Sequence, residues 1–259
     1  LGYCSFGYQM QLSQVFGRFA VKALGMDSAL EEQVTQEFLI DLVLHEVGHT
    51  LGFAHNFASS HMLGLDESYD ADAVSRSGLY ASVMDYTDIH IAPPGREHTK
   101  FFTTQPGPYD DWIVNYSYSA GSGDATVEAQ RLAGIAARST EPALLFGTDD
   151  HVMARAGWAM DPRVLTYDMT SDPIGYADER LGLIEDLLTI ARDKNTTEGE
   201  SYHQLRDAYV VMLAQIARSI TVMSRYIGGV YINRSIVGQV GATTPFTPVS
   251  LDDQRRAMA

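Results

Sequence analysis

The chain has 259 residues, of which 45% are hydrophobic, so it can bury a substantial core in one domain or in two closely packed lobes. Its formal net charge of −15, with only 18 Lys and Arg, argues against nucleic acid as a partner because phosphate binding needs basic clusters. The single cysteine excludes an internal disulfide, and the absence of an apolar run of roughly 18 residues predicts no membrane span.

Two helices are predicted in the first fifty residues. Apolar residues recur at nearly helical spacing over about 8–24, which predicts the first helix rather than a series of strands. A turn at Gly25-Met26-Asp27 leads to the second helix, predicted over about 29–51. We expect the buried stripe of this second helix to consist of Phe38, Leu42, Val43 and Leu51.

The second helix ends in the segment HEVGHTLGFAHN at 45–56, which is the most informative part of the chain. His45 and His49 are four residues apart, so on a helix they lie one turn apart on the same face. Both can therefore hold one zinc ion at about 2.0–2.1 Å from each nitrogen. Gly52 allows the chain to leave the helix in a left-handed turn, after which His55 can return as a third ligand.

Glu46 directly follows the first predicted ligand and shares its side of the helix without having to bind the metal. Three histidines leave a fourth zinc position open for water, as catalytic sites do and closed structural sites do not. The segment therefore predicts a catalytic zinc site, with His45, His49 and His55 as metal ligands and Glu46 as the general base. Surface histidines on an amphipathic helix are the alternative interpretation.

Residues 56–108 are predicted to be mostly irregular, with turns at Pro93-Pro94-Gly95 and Pro106-Gly107-Pro108. A long ordered stretch without regular structure usually lines a functional site. Acidic side chains in loops invite a calcium interpretation, since calcium takes oxygen ligands, but they lack the glycine and terminal glutamate of an EF-hand. Solvated acidic loops are therefore preferred over calcium sites for Asp66, Glu67, Asp70, Asp72, Asp149 and Asp150.

The rest of the chain is predicted to be mostly helical, apart from a loop-rich acidic stretch at 150–178, so the fold class is mainly α, or α+β at most. Gly228-Gly229 should end the last long helix, and Asp252–Arg256 is typical of the opening turn of another. The other predicted elements are short helices at about 109–117 and 124–138, long helices at about 176–193 and 199–227, and a strand or hairpin within 230–237.

A second motif, SVMDY at 82–86, follows the histidine segment by a few dozen residues. In this order the two segments resemble the metzincin clan of zinc peptidases, whose long zinc motif is followed by a Met-turn. The likeness narrows to the bacterial Met-zincin family and covers nearly the whole chain. It is carried by HNFASS after the third histidine, GPYDDWIVNYSY (107–118), FGTDD (146–150), DPRVLTYDMTSDP (161–173) and YIGGVYINR (226–234).

The resemblance assigns expectations to three further residues. Met84 matches the methionine that forms a hydrophobic floor beneath the zinc ligands in the clan. Tyr86 matches the tyrosine that reaches the zinc or the oxyanion in some metzincins; a phenol that only packs beside the site is the alternative. Asp85 is expected to brace the Met-turn or a ligand histidine by hydrogen bonding, since ligating histidines usually have such a partner.

The resemblance also implies an activity and an organisation. We expect a secreted or cell-envelope (periplasmic) zinc endopeptidase, with protein or peptide substrates and a Glu46-activated water as the nucleophile. Residues 1–118 are expected to form the metzincin-like catalytic region, with a helical region at 119–259 packed on it as one continuous domain. The zinc helix begins only about thirty residues into the chain, so the N-terminal sheet of metzincins is expected to be largely absent. A missing N-terminal segment of the same polypeptide is then a predicted partner.

Two alternatives to an active peptidase stay open at this point. One is a catalytic region that is silent until it is joined to its missing sheet. The other is a zinc-stabilised binding or scaffold module, against which Glu46 argues because a structural site has no need of a base.

Overall fold

The computed structural model describes residues 5–152, 159–194, 196, 198–199 and 201–259, with side chains from residue 12 onwards. Its regular structure is mainly helical, as predicted. The α-helices are α1 (Ser5–Ala23), α2 (Ala29–Thr50), α3 (Ala71–Ser77), α4 (Pro108–Tyr118), α5 (Ala125–Ala136), α6 (Asp149–Val152), α7 (Pro173–Lys194), α8 (His203–Tyr226) and α9 (Leu251–Arg256). Short 3-10 helices are Ser59–Met62, Glu67–Tyr69, Ala137–Thr140 and Pro142–Leu144.

The largest apolar core lies between the first two helices and the two long C-terminal helices. Helix α7 packs along α8, both contact α1, and α1 in turn contacts α2. Burying a large apolar side chain completely contributes about 1.5–3 kcal/mol to the free energy of folding. Burial of this cluster therefore stabilises the packing of the four helices. Its buried members include Phe16, Phe19, Val34, Ile89, Phe101, Leu187 and Met212.

The predicted buried stripe of α2 is wrong. Phe38 and Leu42 are only partly buried, and Val43 and Leu51 are exposed together with Leu39, Ile40 and Val47. The face that α2 turns inward is instead formed by Val34, Glu37, Asp41, His45 and Gly48.

This polar inward face is stable because its side chains have hydrogen-bond partners from distant segments. Glu37 accepts a hydrogen bond of 2.7 Å from the backbone N–H of Phe101. Asp41 accepts one of 2.5 Å from the hydroxyl of Tyr80, and burial raises the pKa of Asp41 to about 7. A buried polar group without a partner is costly, so these bonds fix which side of α2 faces the core.

Helix α2 ends in a left-handed turn at Gly52, as predicted from the sequence. Gly52 has φ +86°, a conformation that glycine adopts without a steric penalty, and the N–H of Phe53 returns to the carbonyl of Gly48 at 3.1 Å. The chain therefore reverses just after the helix and brings His55 back towards it.

The stretch from 56 to 108 is largely irregular, as predicted, but the short helix α3 was not anticipated. It begins where the carboxylate of Asp70 accepts a hydrogen bond from the N–H of Ala73 at 2.8 Å. Two other acidic residues weighed as calcium ligands also have protein partners. Asp66 forms an ion pair with Arg96 at 2.7 Å, and Glu67 accepts from the N–H of Gly64 at 2.8 Å.

The C-terminal elements follow the prediction closely, except for the hairpin. The strand predicted within 230–237 is only β1 (Val230–Ile232), which pairs antiparallel with β2 (Phe246–Pro248), with Tyr231 opposite Thr247. Helix α9 follows directly, at the position where the sequence predicts a helix opening. In the described part of the chain, no helix combines the length and hydrophobicity that a bilayer crossing requires.

Candidate metal centre

The structure brings the three motif histidines together at the C-terminal end of α2. One ring nitrogen from each of His45, His49 and His55 lies within 4.8 Å of the others. The ring centroids are 4.7 Å, 4.8 Å and 5.3 Å apart. Within the described ranges, this is the one group of three or more histidine, cysteine or acidic side chains with that proximity. His45 is buried and His49 exposed, so the cluster opens to solvent on one side.

In each of the three histidines, Nδ1 makes the hydrogen bond to a protein oxygen. Nδ1 of His45 lies 2.7 Å from the carbonyl of Val83, and Nδ1 of His49 lies 3.0 Å from that of Phe53. Nδ1 of His55 lies 3.0 Å from both carboxylate oxygens of Asp149. Each of these oxygens can only accept, so each Nδ1 carries the proton and each Nε2 carries the lone pair that a metal would use. In this structure the lone pair of His55 accepts from the hydroxyl of Tyr86. The donor set therefore fits zinc.

His45 is held in its neutral form. Burial lowers the pKa of His45 to about 4, against the opposing effect of the hydrogen bond to Val83. Only the neutral imidazole has a lone pair for a metal, so this histidine is ready to bind throughout the neutral range.

Met84 packs against α2 at Gly48, the residue before His49. Its side chain is buried, and a Cβ added to Gly48 would fall 2.2 Å from its Sδ. Only a glycine allows this close approach, so Gly48 and Met84 form a complementary pair on α2. The role of Met84 as a floor beneath the zinc ligands stays a prediction from the resemblance.

Two buried carboxylates hold the segment around Met84. Asp110, at the start of α4, accepts from the Oγ of Ser82 at 2.6 Å and from the N–H of Val83 at 2.9 Å. Burial raises the pKa of Asp110. Since the carbonyl of the same Val83 accepts from His45, Asp110 is linked to His45 through one intervening residue. Asp110 was not predicted from the sequence as a site residue.

Asp85 was expected to brace either the Met-turn or a ligand histidine by hydrogen bonding. Its hydrogen bonds connect the turn at 82–86 with Ser59 and Ser60. Its Oδ2 accepts from the Oγ of Ser59 at 2.8 Å and from the N–H groups of Ser59 and Ser60 at 3.1 Å. Burial, and secondarily the nearby Asp168, raise the pKa of Asp85 well above its ordinary value. The turn is thereby tied to the chain that follows the third histidine.

Tyr86 and Glu46 complete the set of predicted site residues. The hydroxyl of Tyr86 donates to Nε2 of His55 at 2.6 Å, so the phenol faces the nitrogen that is left for the metal. Glu46 is exposed on α2, three residues before His49, and side chains at this spacing are neighbours on a helix. Glu46 is therefore a neighbour of His49 on α2, and Tyr86 a neighbour of His55.

Asp149, for which a solvated acidic loop is the preferred prediction, is about half exposed and also contacts His55, a contact that was not predicted. Its segment is anchored by the buried Asn56, whose Nδ2 donates to the carbonyl of Leu145 and whose Oδ1 accepts from the N–H of Gly147. The FGTDD motif at 146–150 was the available signal, but nothing local connects it with His55, 94 residues earlier. This contact joins the regions predicted as 1–118 and 119–259, and the division itself stays a prediction.

Comparison with known protein families gives one match. The model of the Met-zincin family matches residues 27–259, which include α2, the histidine cluster, the Met84 turn and the Asp149 segment. Neither curated proteins nor solved structures give a match. Because the family model covers most of the chain and the matched region contains the complete histidine cluster, the chain belongs to the Met-zincin family.

Proposed function

We propose that this protein is a zinc-dependent endopeptidase that hydrolyses peptide bonds in proteins or peptides. Membership of the Met-zincin family suggests a zinc metallopeptidase type of function, and the histidine cluster supports zinc binding. The observation that carries the proposal is the cluster of His45, His49 and His55, in which each Nδ1 faces an oxygen acceptor and one ring nitrogen of each lies within 4.8 Å of the others.

Each residue of the centre has a distinct proposed role. A zinc ion held by the three Nε2 atoms would supply a Lewis acid that polarises a carbonyl group and makes water more acidic. Glu46 accepts the proton of the attacking water at its carboxylate and delivers it to the nitrogen of the departing amine. Tyr86, whose hydroxyl lies 2.6 Å from Nε2 of His55, would donate a hydrogen bond to the substrate oxygen on which negative charge develops.

The proposal predicts that cleavage of a diverse peptide mixture depends on zinc. Mass spectrometry should detect internal cuts with the zinc-loaded protein at neutral pH, none after a chelator has removed the metal, and the same cuts after zinc is restored. The reason is that without the metal the carbonyl is not polarised and the water is not acidified. Magnesium added to the chelated protein is the control, since Mg²⁺ prefers oxygen ligands to imidazole.

Two results would contradict the proposal. Cuts that persist in the metal-free protein would show that another chemistry, or a contaminating peptidase, is responsible. Stoichiometric zinc with every peptide intact would favour the zinc-stabilised binding module instead. A secreted or cell-envelope location remains an expectation from the family resemblance.

A further inference from the structure

The third histidine differs from the other two in the kind of group that holds it. His45 and His49 donate from Nδ1 to backbone carbonyls, whereas His55 donates to the carboxylate of Asp149. Both carboxylate oxygens lie 3.0 Å from Nδ1. A charged acceptor makes a stronger hydrogen bond than a neutral carbonyl does, and it raises the basicity of the opposite ring nitrogen.

His55 is also the ligand that its own backbone constrains least. It follows the end of α2, so the helical hydrogen bonds that orient His45 and His49 do not extend to it. A histidine on a loop needs an external partner to keep its ring and its tautomer in the form that binds a metal.

The segment that carries Asp149 is held firmly against the chain after His55. The N–H of Phe57 donates to the carbonyl of Gly147 at 2.6 Å, and the N–H of Gly147 donates to the fully buried Asn56 at 3.1 Å. A Cβ on Gly147 would lie 2.4 Å from a methyl carbon of Val164, so the segment sits close to its neighbours on both sides. Asp149 follows two residues later, and its Oδ2 also accepts from the hydroxyl of Thr148 at 3.2 Å.

We propose that Asp149 is a positioning residue of the metal centre, which keeps His55 in the Nδ1–H tautomer and thereby contributes to zinc affinity. This inference rests on the zinc site of the proposed function and adds a residue outside the zinc motif. It follows that the segment 145–149 contributes to the metal centre, together with α2, the loop that carries His55 and the turn at 82–86.

The test compares zinc affinity between Asp149→Asn and Asp150→Asn by competition with a chromogenic chelator. Both variants remove one exposed negative charge at neighbouring positions, but only the first removes the carboxylate that His55 contacts. An asparagine amide can donate to Nδ1 and so favour the Nε2–H tautomer, which cannot bind a metal through that nitrogen. We expect Asp149→Asn to weaken zinc binding by about 10–100-fold. Asp150→Asn should change it by less than about threefold.

A second readout separates positioning from a general loss of structure. Nitrogen-15 NMR of the metal-free proteins should show Nδ1–H at His55 in the wild type and a larger Nε2–H population in Asp149→Asn. The Asp149 side chain is about half exposed (53%), so the thermal unfolding of the metal-free variant should stay close to that of Asp150→Asn. If Asp149→Asn unfolds at a lower temperature than Asp150→Asn, the zinc affinity of Asp149→Glu becomes the test. Asp149→Glu keeps the negative charge and should bind zinc more tightly than Asp149→Asn.

The outcomes distinguish this inference from the proposed function. Wild-type protein that binds no zinc would remove the basis of both. Wild-type protein that binds zinc, with Asp149→Asn equal to Asp150→Asn in affinity and in His55 tautomer, would overturn the role of Asp149 and leave the peptidase proposal standing. Equal zinc affinities of Asp149→Glu and Asp149→Asn would also overturn it.

Discussion

Replacing Glu46 by glutamine should lower kcat/KM for peptide hydrolysis by about 10²–10⁴-fold while zinc remains bound at one equivalent. Glutamine keeps the size of the side chain but cannot take a proton from water, so the loss isolates the role of the base. Zinc should stay bound because the three Nε2 donors belong to histidines that the substitution does not touch. Initial rates on a peptide identified in the mixture assay, together with the metal content of the purified variant, measure both effects.

Glu32→Gln is the matched control for this experiment. Glu32 is exposed on the same helix, about four turns before Glu46, and its replacement removes the same charge. Activity within about twofold of wild type is expected, because a surface charge at that distance is largely screened. A Glu46→Gln variant that matched Glu32→Gln in rate would refute the assignment of Glu46 as the base.

Replacing Gly48 by alanine should destabilise the metal-free protein by about 1–3 kcal/mol and weaken zinc binding. The new Cβ would fall 2.2 Å from the Sδ of Met84, whereas favourable contacts between such atoms begin at about 3.5 Å. Met84 is almost completely buried (1% exposed), so it can move aside only by disturbing its neighbours. Urea unfolding measures the free energy of unfolding, and chelator competition measures the zinc affinity.

At Gly134, the same substitution to alanine should stabilise the protein, in contrast to Gly48→Ala. Gly134 lies in α5, and an added Cβ there has no heavy atom within 4 Å, so helix propensity should stabilise the protein by about 0.5–1 kcal/mol.

In a double-mutant cycle, Met84→Ala should destabilise the protein less when Gly48 is already alanine, with a coupling free energy of about 0.5–3 kcal/mol. Additive effects, or a Gly48→Ala variant as stable as wild type, would argue against this packing.

The cluster of three histidines could be predicted because its residues are close together in the sequence. His45, His49 and His55 lie within eleven residues, and helical geometry together with a left-handed glycine is sufficient to bring them together. The two groups that hold them from elsewhere, Asp110 and Asp149, could not be predicted in the same way. Each acts through a contact between residues far apart in the chain, and such contacts leave no periodic pattern.

The inward face of α2 also depends on contacts between distant residues, and for this reason it could not be predicted from the sequence pattern. Hydrophobic patterning assumes that apolar side chains point inward, so it favoured Val43 and Leu51 over Glu37 and Asp41. The structure reverses this order because Phe101 and Tyr80 satisfy the two carboxyl groups. The boundaries of the helix, about 29–51 predicted and Ala29–Thr50 observed, were nevertheless correct, since they depend on turn residues at either end.

The most direct test of the central claim is the X-ray absorption spectrum of the zinc-loaded protein at the zinc edge. We expect one zinc ion per chain with three imidazole nitrogens at about 2.0–2.1 Å, together with a further light atom in an open position. The same measurement on His55→Ala should show the loss of one imidazole or of the metal itself. A wild-type spectrum dominated by carboxylate oxygens, or one that is unchanged by His55→Ala, would contradict a metal centre built on His45, His49 and His55.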